Sequence, residues 1–191
     1  MPRRTLVREI DAVRQTLAAR PIVLVGLMGA GKTTVGRRLS ERLGLAFVDA
    51  DQEIEKAAGK SVAEIFADHG EAYFRDGERK VIARLLDSGS QVLATGGGAY
   101  MNPETRATIR ERGIAVWLRA DLALLLKRVK KRNDRPLLKS GDPAAVMQKL
   151  MDERYPVYAQ ADITVDSRDT AHSAMVNDVI KALARWQEEQ P

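Results

Sequence analysis

The period of the hydrophobic positions changes along the chain. Leu6, Ile10, Val13 and Leu17 recur at helical spacing, which predicts an amphipathic helix over 3–18 that ends at Arg20-Pro21. Its polar face mixes both charge signs, so a packing arm laid on the domain fits it better than a membrane or nucleic-acid anchor. From Pro21 onward, short apolar runs at 22–26, 46–49, 91–95, 114–118 and 162–165 are bounded by glycine, charge or turn signals and predict strands. Helical patterns fill the intervals. Ser61-Val62-Ala63-Glu64 reads as a capping box, and Asn102-Pro103 and Asp142-Pro143 each set a capping side chain before a proline at the first helical position. Strands alternating with helices predict an α/β fold in three layers, α/β/α, around a five-stranded parallel sheet, with ligands beyond the carboxyl ends of the strands. No internal repeat, low-complexity tract or long linker interrupts the pattern. The expected organisation is an N-terminal helical extension over 1–20 and a single domain over 21–191.

Composition narrows the classes of function. At 191 residues and 45% hydrophobic content the chain can bury a sizeable core, which argues against disorder, collagen or coiled coil. Without cysteine there is no disulfide, iron–sulfur cluster, Cys-based zinc site or thiol nucleophile. His69 and His172 lie far apart and lack metal-ligand spacing. The longest mostly apolar run, 21–30, is about half the length needed to cross a bilayer. The N-terminus lacks the uninterrupted apolar stretch of a signal peptide, and Glu9 and Asp11 argue against a transit peptide, so a cytoplasmic protein is expected.

The strand-to-helix junction at 26–33, Gly26-Leu27-Met28-Gly29-Ala30-Gly31-Lys32-Thr33, fits G-x-x-x-x-G-K-[ST]. Glycines in such a loop let backbone N–H groups converge on phosphate oxygens, and the helix start adds the positive end of its dipole. Gly29, Ala30, Gly31, Lys32, Thr33 and Thr34 are therefore candidate contacts of a nucleoside triphosphate. Lys32 would reach the β- and γ-phosphates, and the Thr33 hydroxyl would hold Mg²⁺.

The motif binds phosphate without naming the acceptor. Phe47-Val48-Asp49-Ala50-Asp51 ends the second predicted strand, and alternation puts Asp49 and Asp51 on one side as the chain leaves the sheet. Facing a phosphate loop, such a pair suits metal-water coordination and orientation of an attacking hydroxyl; the alternative is that Asp51 caps the next helix. Arg75 and Glu78 are helical neighbours, so the carboxylate can steady the guanidinium for an anionic substrate, although an ordinary surface ion pair has the same spacing. Gly96-Gly97-Gly98 removes side chains where the backbone would meet a ligand, or simply forms a tight turn. Arg154 is a further candidate anion clamp. Residues 127–139 hold seven bases and one acid, and Arg135-Pro136-Leu137-Leu138 breaks the helical pattern, which suits a mobile flap bringing an arginine over the transferring phosphate.

Taken together, G-L-M-G-A-G-K-T-T at 26–34, D-A-D at 49–51, F-R-D-G-E at 74–78, G-G-G-A at 96–99, R-P-L-L at 135–138 and E-R-Y-P-V-Y at 153–158 resemble the shikimate kinase family. The resemblance spans about residues 21–185. It implies a P-loop NTPase fold of the nucleoside monophosphate kinase-like group with a lid at about 127–142, and transfer of the γ-phosphoryl of ATP to the 3-hydroxyl of shikimate. Implied with it are one Mg²⁺ per active site, ATP as co-substrate, and a monomer with no nucleic-acid or membrane partner. Arg75 and Arg154 would hold the substrate carboxylate, Asp51 would orient or deprotonate the hydroxyl, and Gly97 and Gly98 would add backbone contacts. Asp49 would act on Mg²⁺ through water, Arg135 would close from the lid, and Arg128 would stack on adenine opposite the loop containing Arg168. Two features depart from the family: Val165-Asp166-Ser167-Arg168-Asp169-Thr170 lacks the proline often found in the adenine loop, and the helix at 3–18 precedes the usual start. A gluconate or nucleotide kinase is the nearest alternative, but F-R-x-x-E with R-P-L-L does not suit it. A nucleic-acid-binding ATPase is suggested only by the net charge of +5 and pI of 9.6. That charge is localised: residues 1–20 carry +3 and residues 127–139 carry +6, leaving the remainder at −4.

Overall fold

The computed structural model describes residues 8, 10–14, 20–130 and 142–189. Five parallel strands, β1 Ile22–Val25, β2 Ala46–Asp49, β3 Gln91–Ala94, β4 Ile114–Arg119 and β5 Ile163–Asp166, form one sheet in the order β2-β3-β1-β4-β5. Each predicted strand is present, with ends differing by one residue at most. The central strand β1 is Ile-Val-Leu-Val and wholly buried, as a parallel strand covered on both faces must be. In register, Asp49 lies beside Ala94, and both Ala94 and Val116 lie beside Leu24. The carboxyl ends of β2, β3 and β1 therefore finish level, and the loops that follow them open onto one edge.

Seven helices within the described residues flank the sheet: α1 Lys32–Leu43, α2 Ala50–Ala58, α3 Val62–Leu86, α4 Pro103–Arg112, α5 Leu122–Val129, α6 Pro143–Tyr158 and α7 His172–Glu188. Helix α1 packs against α7 and β3, α4 packs against α3 and β4, and α6 packs against α5, giving the three-layer α/β/α arrangement. The predicted caps are in place. Ser61 and Glu64 exchange both bonds of the capping box, Asn102 accepts from the amides of Glu104 and Thr105, and Asp142 accepts from that of Ala144. One alternative is corrected: Asp49 caps α2 by accepting from the Asp51 amide, so Asp51 sits inside the first turn with its carboxylate unused as a cap. Helix α3 is broken at Gly70, whose φ of 80° and ψ of 176° are open to glycine but costly for other residues, and the stretch carrying Arg75 and Glu78 starts afresh after it.

Most buried side chains belong to one core around the sheet. A second, small cluster of Ile54, Ile65 and Phe74 lies between α2 and α3, flanked by Val62, Phe66 and Val81. Of the N-terminal helix predicted over 3–18, the described residues 8 and 10–14 are helical. Val13 is buried in the main core, and Arg14 donates from Nε to the Leu43 carbonyl at 2.8 Å and from Nη2 to that of Arg42 at 3.2 Å. Those carbonyls have no partner within α1, so Arg14 serves as an external cap for the phosphate-loop helix. Of the predicted lid over 127–142, the stretch 131–141 with Arg135 lies outside the described residues.

Candidate active site

The loop after β1 has the backbone shape its glycines permit. Gly26, Gly29 and Gly31 have φ of 143°, 83° and 98°, and a Cβ on Gly26 would stand 2.9 Å from the Leu118 carbonyl oxygen. The loop curls under Lys32, whose ammonium donates to the carbonyls of Gly26 at 2.8 Å and Leu27 at 3.0 Å. Thr33 Oγ1 donates to Asp49 Oδ2 at 3.2 Å, so a hydroxyl and a carboxylate stand side by side at the start of α1. This hard-oxygen pair fits Mg²⁺, which keeps most of its ligands as water and phosphate oxygen. Among the described residues no group of three or more acidic or histidine side chains could hold a metal without such help.

On the nucleotide side Arg128 is drawn inward by oxygen atoms of two loops. Its Nη1 donates to the Gly29 carbonyl at 3.2 Å, the Ala30 carbonyl at 3.3 Å and Ser167 Oγ at 2.8 Å, while Nη2 donates to the Arg168 carbonyl at 2.8 Å. Ser167, itself buried, donates to the Ala30 carbonyl at 3.3 Å. The phosphate loop and the loop after β5 are thereby tied together. Arg168 contributes its carbonyl; its side chain lies 3.9 Å from Asp178 and does not line the cleft.

The acceptor side is built on the three glycines after β3, and each faces a different side chain. A Cβ on Gly96 would stand 2.9 Å from both Asp51 Oδ1 and Glu78 Oε1, one on Gly97 would stand 3.3 Å from Arg154 Nη1, and one on Gly98 would stand 2.5 Å from Arg75 Nη2. Arg75 Nη1 donates to Glu78 Oε2 at 2.7 Å, and Glu71 accepts from Nε and Nη2 of the same guanidinium at 3.3 Å. Glu78 is 3% exposed, and its Oε1 is buried with no hydrogen-bond partner among the described residues. The Arg75–Glu78 pair is thus partly buried, unlike an ordinary surface ion pair.

Burial, reinforced by the neighbouring Asp49 charge, lifts the Asp51 carboxyl above its ordinary range. Burial likewise raises Glu78, and the adjacent Arg75 only partly offsets it. For Arg75, burial alone would favour loss of the proton, but the hydrogen bonds to Glu78 and Glu71 outweigh it and hold the guanidinium charged.

The two halves share one cleft of about 630 Å³. It brings together Gly29, Ala30, Gly31, Lys32, Thr33, Thr34 and Arg128 on the nucleotide side with Asp49, Asp51, Arg75, Gly97, Gly98 and Arg154 on the other. Arg135 lies outside the described residues. Sequence reasoning missed Gly96 as the contact of Asp51 and Glu78, Ser167 as the link between the nucleotide loops, and the apolar wall of Val62, Phe66 and Phe74. Of these, only the glycine run carried a local signal.

The family model described as shikimate kinase matches residues 28–184. A shikimate kinase of Rhodopseudomonas palustris is 59% identical over 167 residues, covering 87% of this chain and 82% of its own. One from Brucella canis is 53% identical over 183 residues, covering 96% and 92%. Among solved structures, a shikimate kinase from Acinetobacter baumannii in complex with shikimate has a TM-score of 0.85 at 36% identity, covering 93% of this chain and 99% of its own. A gluconokinase from Sinorhizobium meliloti, with TM-score 0.59 and 19% identity over 90% of this chain and 95% of its own, shares the fold alone. A match running from the phosphate loop into α7, and relatives above half identical across most of the chain, establish that the chain belongs to the shikimate kinase family.

Proposed function

We infer that the chain transfers the γ-phosphoryl group of ATP to the 3-hydroxyl of shikimate, giving 3-phosphoshikimate in the chorismate route to aromatic amino acids. The observation that carries this reading is the single cleft in which a phosphate loop faces a half-buried, carboxylate-steadied arginine and a carboxylate free of capping duty.

In-line phosphoryl transfer asks the protein mainly to position the reactants and neutralise charge on the transferring group. The backbone N–H groups of Gly29, Ala30 and Gly31, with Lys32, Thr33 and Thr34, cradle the ATP phosphates. Lys32 exchanges its carbonyl contacts for phosphate oxygens. The Thr33 hydroxyl and, through water, Asp49 would hold Mg²⁺, which would supply neutralisation of the phosphate charge. Arg75 and Arg154 bind the shikimate carboxylate, and Gly97 and Gly98 meet the ring edge with backbone rather than side chain. Asp51 orients the attacking hydroxyl and takes its proton as the bond to phosphorus forms; its raised pKa improves it as a base over an ordinary aspartate. Arg128 and the loop around Arg168 flank the adenine, and Arg135 closes over the phosphates from the lid.

The organisation proposed is a kinase domain over 21–191 preceded by an N-terminal arm over 1–20, acting as a cytoplasmic monomer without nucleic-acid or membrane partners. No helix within the described residues is long and apolar enough to cross a membrane. ADP release from Mg-ATP, measured with shikimate, gluconate, a nucleoside monophosphate or RNA added in turn, tests the reading. Turnover is expected with shikimate alone; turnover with another acceptor and not with shikimate overturns it.

A further inference from the structure

Tyr158, the last residue of α6, is fully buried, yet its hydroxyl reaches the acceptor loop. It donates to the Gly97 carbonyl, and the Arg154 guanidinium one helical turn earlier lies beside the same phenol. Burial pushes the phenol up to about 12, so it remains a hydrogen-bond donor throughout the neutral range. The ring is fixed by an aromatic cluster, with centroids 5.9 Å from Trp117, 6.2 Å from Tyr155 and 6.4 Å from Tyr100.

The Gly97 carbonyl belongs to the same planar peptide unit as the Gly98 N–H. In a trans peptide these two groups point in opposite directions, and no peptide bond among the described residues is cis. Anchoring the carbonyl on Tyr158 therefore turns the Gly98 N–H away from α6. No backbone partner accepts from that N–H among the described residues, and Gly98 lines the cleft. Glycine on both sides of the bond leaves the peptide otherwise free to rotate. Arg154 Nη1 would stand 3.3 Å from a Cβ on Gly97.

We propose that Tyr158 is a positioning residue for shikimate binding, which locks the Gly97–Gly98 peptide plane so that its N–H faces the substrate and which seats Arg154 beside it. The proposal rests on the reading of this cleft as the shikimate site. Tyr158→Phe keeps the ring and deletes the anchor. Tyr155→Phe is the matched control, because its hydroxyl donates to the Ala120 carbonyl within the same cluster, away from the glycine loop.

With wild type turning over shikimate, steady-state kinetics of Tyr158→Phe should show the KM for shikimate raised about 5- to 10-fold, the loss of roughly one hydrogen bond, with the KM for ATP and kcat within about twofold. Tyr155→Phe should lower the melting temperature and leave the KM for shikimate unchanged. An unchanged KM in Tyr158→Phe, or an equal rise in Tyr155→Phe, overturns the proposal; absence of shikimate turnover in wild type overturns the functional reading instead. A second measurement does not depend on a variant that folds: in ¹⁵N-labelled wild type, the Gly98 amide resonance should shift on shikimate addition and stay in place with ATP alone. A Gly98 amide indifferent to shikimate overturns the proposal.

Discussion

Gly98 lies so close beneath the Arg75 guanidinium that a methyl group on it would stand 2.5 Å from Nη2. Real carbon–nitrogen contacts are more than half an ångström longer, so the arginine would have to leave its place over the glycine. It is tethered by Glu78 at 2.7 Å and cannot shift freely. Gly98→Ala should therefore raise the KM for shikimate about 10- to 100-fold, an overpacking cost of about 1–3 kcal/mol, while the KM for ATP changes little. Separate titrations of the two substrates check this, and an equal loss for ATP would count against it.

Lys32→Ala should lower kcat about 100- to 1000-fold, as expected for removal of a fixed donor to developing charge, and Asp51→Asn should cost a comparable factor. In wild type the rate should rise with pH through the Asp51 value, which burial and Asp49 place above 3.8. The same shift has a stability consequence of definite sign. A raised carboxyl contributes stability that is complete below 3.8 and is lost as pH climbs through the folded value. Asp51→Asn should therefore melt above wild type at pH 7, and the difference should shrink as pH is lowered toward the ordinary carboxyl range. Thermal unfolding of both proteins between pH 4 and 7 tests the trend; a difference that widens toward acid would refute it.

Ser167 and Arg128 join the phosphate loop to the loop after β5. Ser167→Ala removes the bridge without adding bulk. It should weaken ATP about 2- to 10-fold, in line with loss of the bond from Arg128 and the longer one to the Ala30 carbonyl, and leave shikimate affinity in place. Fluorescent nucleotide titration reads the first effect and kinetics at saturating ATP reads the second.

Arg14 caps α1 with two hydrogen bonds to Leu43 and Arg42. Its replacement by alanine should destabilise the fold by about 1 kcal/mol, a drop of roughly 2–4 °C in Tm, with kcat unchanged. Differential scanning calorimetry beside a kinetic assay distinguishes this from a catalytic role for the arm.

Much of the fold was legible in the residues because its signals are local. Four-residue apolar runs, Ser61 three before Glu64, and asparagine or aspartate before proline each act within one turn of chain. The phosphate loop and the Arg75–Glu78 spacing were legible for the same reason. The cap of α2 was not: the sequence offers Asp51 for it, and only the turn of the backbone sets the Asp49 carboxylate against the Asp51 amide. The partners of Gly96, Ser167 and Tyr158 became visible only when the loops after β1, β2, β3 and β5 met α3 and α6, since those partners lie up to 137 positions away in the chain. Nothing local marks a hydroxyl for a distant carbonyl.

The small cluster of Ile54, Ile65 and Phe74, set off from the main core and interrupted by the break at Gly70, divides the cohesion of the molecule unequally. Residues 52–69 can detach by giving up a handful of apolar contacts, whereas the strands bearing the phosphate loop separate only when the whole interior is lost. Amide protons of α2 and of the first turns of α3 should thus exchange with solvent long before those of β1. The wall that encloses the acceptor therefore opens more cheaply than the donor's cradle, which shares the protection of the main core.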